Sequence, residues 1–217
     1  MKQTLLLRLA GPMQSWGTQS RFPRRDADRE PSKSGVVGLL CAALGRPRAA
    51  PVDDLAALRM GVRVDREGML LRDYHTAQDV RKASGGIKPT ELSERFYLAD
   101  AVFLVGMEGE PAVLQTLDQA LRAPIWSLFL GRKAFIPGAP PALPEGYRPD
   151  ETLEQALEQW PRLASPLEDG AQRYVIELRA DVNQHAQIRL ETRQDQPLSF
   201  QRGQRQYTVR RVAVRTS

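Results

Sequence analysis

Apolar residues crowd the first ten positions as "QTLLLRLA", Gln3 to Ala10. The run is too short and too apolar for a surface helix, so it predicts a first strand. "PSKSGVVGLLCAALG" follows as a helix. Ser32 or Ser34 can cap it, Val36 to Leu44 fill it, and Gly45 closes it at the position after the last turn. "VDDLAALR" is a short helical turn with Asp53 and Asp54 at its start. Met60, Val62 and Val64 then alternate with polar residues, Glu67-Gly68 makes a turn, and apolar positions resume at Leu70. That pattern predicts a hairpin.

"RKASGGIKPTELSER", Arg81 to Arg95, breaks the apolar rhythm. It is polar, basic and carries Gly85-Gly86 and Pro89, so it cannot form core. "FYLADAVFLVGM", Phe96 to Met107, predicts a central strand. "PAVLQTLDQALRAP" predicts an amphipathic helix with Pro111 at its start, Val113, Leu114, Leu117 and Leu121 on one face, and Pro124 as its stop. "WSLFLGRKAF", Trp126 to Phe135, adds a closing extended segment. The resulting βαββαβ order, over residues 1–136 with a polar insertion at about 78–94, is the ferredoxin-like or RNA-recognition pattern within an α+β class. Residues 137–150 carry most of "IPGAPPALPEGYRPD", which holds five of the 16 prolines and predicts a crossover. Residues 151–217 supply a short helix, "ETLEQALEQW", and then "RYVIELRA", "HAQIRLETR" and "RQYTVRRVAVRT", expected as a small C-terminal β-rich unit.

A chain of 217 residues corresponds to one large domain or two small ones and can bury a core without metal or disulfide staples. No stretch approaches the ~18 apolar residues of a membrane span, and the opening reads as strand rather than signal peptide. Cys41 is the single cysteine and sits in an apolar run. It excludes an internal disulfide or a cysteine-based zinc site, and a buried small hydrophobe in a cytoplasmic protein is the expectation. The net charge of +5 is modest, but only five of the 31 basic residues are lysine. Arginine grips phosphate bidentately and stacks on bases, whereas lysine is a point charge. A GC-rich coding bias yields the same composition, so composition alone decides nothing.

No metal motif, phosphate loop ending in Gly-Lys-Ser/Thr, or serine-nucleophile elbow is present, and no cofactor is expected. A metal-free ribonuclease needs an acid and a base near the scissile phosphate. Tyr74 and His75, beside Lys82 and Lys88, offer one such grouping, although His75 also reads as a polar strand-end residue. His185 lies in the polar turn "DVNQHAQ".

What remains is a kit for binding. Gln14, Trp16 and Arg21 lie on one loop. Lys33 and Ser34 stand at a helix start, where free N–H groups favour anions. Arg46 and Arg48 follow that helix, and Arg81, Lys88 and Arg95 flank the Gly-Gly arm. Arg132 and Lys133 lie between Phe129 and Phe135. Cations mixed with flat rings suit single-stranded RNA, each stacked base contributing ~1–3 kcal/mol. Trp16 serves equally as a core residue.

"LLLRLAGPMQSWG", "PSKSGVVGLLCAALG", "DYHTAQ", "SERFYLADAVFLVGM" and "LFLGRKAFIP", in this order over Gln3 to Pro137, closely resemble the CasD-type subunits of type I-E CRISPR Cascade complexes, within the repeat-associated (RAMP) superfamily. The resemblance implies a non-catalytic, ribonucleoprotein role in antiviral defence. Such subunits bind the 5′ handle of the guide RNA (crRNA) and cap one end of the complex. They contact the adjacent backbone subunit and the large PAM-reading subunit, and meet target DNA only through the complex. It further implies a ferredoxin-like palm, a thumb over Gln78–Glu94 that bends the RNA, and no membrane partner. The Gly-Pro-Met-Gln-x-Trp-Gly loop, Ser34 and the Gly-Arg-Lys loop become the handle surface. Related subunits of another subtype cut repeat RNA themselves. A metal-independent endoribonuclease using Tyr74, His75 and Lys88 is therefore the alternative.

Overall fold

The computed structural model describes residues 3–17, 24–165, 172–178 and 189–217. Strand β1 (Gln3–Ala10) lies inside a sheet with both faces covered. Its side chains alternate between two buried clusters. Leu5, Leu7 and Leu9 enter one, with Val36, Val37, Leu40, Leu114 and Leu117. Leu6 enters the other, with Leu153 and Leu157. Hence the unbroken leucine run, where a half-exposed strand would alternate.

Helix α1 (Lys33–Ala43) and helix α3 (Pro111–Arg122) cover the first face. Helix α4 (Leu153–Gln159), begun by a Thr152–Gln155 capping box, covers the second. Ser32 caps α1, its Oγ accepting from the Gly35 N–H at 3.3 Å. Gly45, at φ +68°, follows the helix end. The four-residue α2 (Asp53–Ala56) begins, as expected, with two aspartates.

Strands β4 (Arg59–Arg66), β7 (Val102–Gly109) and β8 (Ala142–Arg148) join β1 in the order β4-β7-β1-β8, every pair antiparallel. Numbered by sequence, the order from β8 is 4-1-3-2. Strands β9 (Arg173–Glu177), β10 (Arg189–Ser199) and β11 (Gln206–Thr216) continue the same sheet, because β9 pairs with β4, Val62 opposite Val175. The C-terminal strands thus share one seven-stranded sheet with the N-terminal half.

Three elements differ from expectation. Trp126–Phe135 forms no strand. It folds on itself through Leu130 N–H to Phe135 O (2.7 Å) and Phe135 N–H to Arg132 O (2.8 Å), while Trp126 N–H donates to Ala42 O of α1 (3.1 Å). The fourth strand is β8, inside the proline-rich stretch. Pro144 is tolerated there because β8 is an edge strand with an irregular register.

The expected hairpin around Glu67-Gly68 is instead a corner between two sheets. Gly68 has φ +72°, and a Cβ there would lie 2.6 Å from Ala99 O. The chain leaves β4 and enters β5 (Met69–Arg81), which pairs with β6 (Ile87–Ala99) along a thirteen-residue ribbon. Likewise Phe96–Met107 divides at Asp100, φ +57°, into the end of β6 and β7. The polar insertion is therefore the outer half of a β-ribbon with both faces in water. Its base is held by β2 (Met13–Gln14) and β3 (Arg24–Arg25), each pairing two residues with β6.

Buried charges fasten the C-terminal strands to α1. Lys33 Nζ donates to Glu177 at 2.9 and 3.0 Å, and Arg210 pairs with Asp195 at 2.6 and 2.9 Å. Asp195 also accepts the Lys33 backbone N–H at 2.7 Å. Replacing Glu177 by Ala leaves the Lys33 ammonium buried without its main partner. Urea denaturation should then show a loss of about 3 kcal/mol. A loss under about 1 kcal/mol would mean the ammonium finds water or another carboxylate.

Candidate nucleic-acid interface

The loop after β1 is built from inside outwards. Gln14 is fully buried. Its Nε2 donates to Leu9 O (3.2 Å) and Ala101 O (2.7 Å), and its Oε1 accepts from Trp16 Nε1–H (3.1 Å). Trp16 is 1% exposed, with its indole under the first turn of α1. A Cβ on Gly35 would lie 2.8 Å from the ring. Gly131 closes the arrangement. Its φ is +86°, a Cβ there would lie 1.8 Å from Ser15 O, and Ser15 N–H donates to Leu130 O at 3.1 Å. The Gly-Pro-Met-Gln loop and the Gly-Arg-Lys loop therefore interlock beside the start of α1.

Over that junction lie two adjoining cavities. One, of about 400 Å³, is polar and includes Ser15, Arg25, Asp26, Arg132 and Gln194. The other, of about 510 Å³, is lined by Leu39, Cys41, Trp126, Phe129 and Phe200, with Arg46, Arg48 and Lys133 also on its wall. Ser34, Gly131, Arg205 and Tyr207 border both, so the cavities form one groove across the helix start. One half suits phosphates and the other suits flat apolar groups.

Arg132 is half-buried, lies over the Phe135 ring at 5.5 Å, and donates from Nη2 to Arg25 O at 3.3 Å. Burial, then the charges of Arg95 and Arg25, hold its pKa below the usual arginine value, with Asp73 opposing. Arg24 lies over Phe96 at 5.0 Å.

The expected contact residues separate into groups. Ser34, Arg46, Arg132 and Lys133 line the groove, and Arg95 lies near Arg132. Arg46 also holds Asp54 through two hydrogen bonds, which lower the Asp54 pKa. Arg81 and Lys88 sit exposed on the outer ribbon, Lys88 paired with Glu91. Arg21 lies outside the described residues.

Gln14, Trp16 and Lys33 are corrections. With relative exposures of 0%, 1% and 1%, their side chains support the groove and do not face it. The helix start is also less open to anions than expected, because Asp195 takes the Lys33 N–H and Ser32 takes the Gly35 N–H. Burial lowers the Lys33 pKa, with Glu177 acting against it.

Tyr74, His75 and Lys88 do not converge. Tyr74 and His75 are opposite Glu94 and Ser93, on alternate faces of the ribbon. Lys88 is opposite Val80, five residues beyond His75 and so about 16 Å along the strand. His75 Nδ1 lies 3.8 Å from Asp73. His185 falls outside the described residues. Among the described residues there is no cluster of three or more His, Cys, Asp or Glu side chains placed to hold a metal, and no helix long and apolar enough to cross a membrane.

Sequence reasoning missed Arg205, Tyr207, Phe200 and Gln194 of the C-terminal hairpin. The signal was available in "FQRGQRQY", Phe200 to Tyr207, which interleaves cations and rings as "FLGRKAF" does.

Residues 4–213 match the family model for CRISPR-associated protein Cas5. A 155-residue stretch is 37% identical to the CRISPR system Cascade subunit CasD of Escherichia coli (strain K12), covering 62% of this chain and 67% of that one. A crystal structure of a Cas protein superposes with a TM-score of 0.76 at 42% identity, covering 98% of this chain and 94% of the other. A chain of a CRISPR RNA-guided surveillance complex gives 0.80 at 35% identity, covering 99% and 90%.

The interlock has a direct test. Gly131→Ala forces a side chain into a left-handed backbone position against Ser15. It should cost at least about 2 kcal/mol in thermal or chemical unfolding. A variant as stable as the parent would show that the two loops separate freely.

Proposed function

The chain belongs to the CRISPR-associated Cas5 family and is a CasD-type Cascade subunit, and from that premise we propose that it holds the 5′ handle of the guide RNA in the groove over α1. The observation that carries this reading is the groove itself. It gathers Arg25 and Arg132 at one end and Trp126, Phe129 and Phe200 at the other, with Arg205 between them. An unpaired strand has the same two-part chemistry, anionic on its backbone and flat on its bases.

In this reading the β8-β1-β7-β4 sheet with α1 and α3 is a ferredoxin-like palm. The 4-1-3-2 strand order, with both crossover helices on one face, supports it. The β5–β6 ribbon is the thumb, and its outer part, Gln78–Glu94, bends the strand and meets the adjacent backbone subunit. The exposed Tyr74, Ile87 and Leu92 support a protein contact on the ribbon. Loading onto one end of the guide caps the complex next to the large PAM-reading subunit, in the cytoplasm. Target DNA is read by base pairing with the guide. The chain cuts no RNA in this reading, in keeping with the separation of Tyr74, His75 and Lys88.

Three outcomes test the proposal. Arg132→Ala with Arg205→Ala should weaken handle binding at least tenfold and lower the salt slope of log K by about 1.4, two single-strand phosphate contacts. An unchanged slope removes the groove from the RNA path. Replacing Ala77–Glu91 by a two-residue Asn-Gly turn should leave the palm's circular dichroism intact while blocking assembly with the backbone subunit. Collapse of the palm signal would count the ribbon as core. Repeat RNA incubated with the chain in EDTA should stay intact; cleavage to a 2′,3′-cyclic end, lost in His75→Ala, would restore the ribonuclease alternative.

A further inference from the structure

We propose that the guanidinium groups of Arg25, Arg95 and Arg132 form a phosphate latch at the base of the ribbon, where one phosphodiester of a bound strand sits among them and fixes the ribbon to the sheet. The latch rests on the groove reading and deepens it, by naming one phosphate site and its mechanical consequence.

The three arginines arrive from separate segments. Arg25 lies in β3, whose parallel register sets it beside Arg95 of β6. Arg132 comes from the loop after α3 and donates to Arg25 O at 3.3 Å. Arg25 and Arg132 line the polar cavity together with Arg205. The carboxylates facing this group are Asp26, in the same cavity, and Asp73, cross-strand from Arg95 and attractive to Arg132. Among the described residues, four guanidinium groups thus lie near two carboxylates. Arg132 registers the excess, since repulsion from Arg95 and Arg25 adds to burial in weakening its hold on its proton. A phosphate reverses the sign of that interaction, because each guanidinium fork can donate two hydrogen bonds to its oxygens.

The ribbon is joined to the rest of the chain by short ladders. Beyond the two places where the chain enters and leaves it, β2 and β3 each offer two residues to β6. The inner end of this joint is anchored by buried Leu98 and by the Tyr97–Phe135 ring contact. Like charges on either side of its outer end, at Glu94–Phe96, oppose closure there, and a bridging anion favours it. Strand binding and ribbon docking then strengthen each other by equal factors.

The test uses the full chain and amide hydrogen exchange at Glu94–Phe96, with inorganic phosphate against chloride at matched ionic strength, then with single-stranded RNA. At phosphate tenfold above half-saturation, exchange should slow about tenfold. Arg95→Gln keeps the stem but loses the charge. It should exchange no faster than the parent in chloride and gain at most about twofold from phosphate. A parent chain indifferent to phosphate, or a variant that keeps the whole response, overturns the latch. RNA binding that remains sensitive to Arg132→Ala with Arg205→Ala would then leave the groove reading standing. Loss of that sensitivity as well would remove both.

Discussion

The structure turns on a close approach of two backbones, Gly131 against Ser15. No side chain fits between them, and the left-handed torsion at Gly131 favours glycine independently. Because these loops meet, a segment following β1 and a segment following α3 share one surface at the start of α1. Gln14 and Trp16 make the meeting rigid from below. Gln14 satisfies two carbonyls where the first strand breaks, and the indole fills the space that Gly35 leaves under the helix. The cations above are thereby held on a fixed floor, which lowers the entropy cost of ordering them around a ligand.

A second constraint comes from the far end of the chain. The Lys33–Glu177 and Arg210–Asp195 pairs are buried or nearly so, and Asp195 also engages the backbone at the start of α1. Isolated buried charges are costly, so these pairs hold together in one arrangement. That arrangement carries Arg205 and Tyr207 to the groove. The site is therefore assembled from four regions that sequence distance keeps apart, and the charge excess at the ribbon base follows from bringing them together.

Much of the fold was legible beforehand. The leucine run gave β1, a serine cap at Ser32 or Ser34 and Gly45 bracketed α1, and the 3.6-residue spacing of Leu114, Leu117 and Leu121 gave α3. These are local signals, set by periodicity and capping. The fourth strand was not legible, because proline content argues against a central strand and Pro144 is accepted only at an edge. Nor was the division at Asp100, where an apolar run continues through a change of sheet. Arg132, expected from loop composition, and Ser34, expected from the helix start, both line the groove. Gln14 and Trp16, named from the loop, and Lys33, named from the helix start, are buried beneath the groove, since neither composition nor position in a helix says which way a side chain faces.

By itself the sequence determined the first strand and the α1 and α3 helices, which family the motifs belong to, and that arginines and rings gather in loops. Those properties depend on neighbours a few residues away. Only the tertiary structure decided that the C-terminal strands extend the first sheet, that Arg25, Arg95 and Arg132 meet, and that Lys33 turns inward to Glu177. Each is settled by which distant backbones fit against one another, and that fit rests on hydrogen-bond register and close packing between segments as much as 163 residues apart.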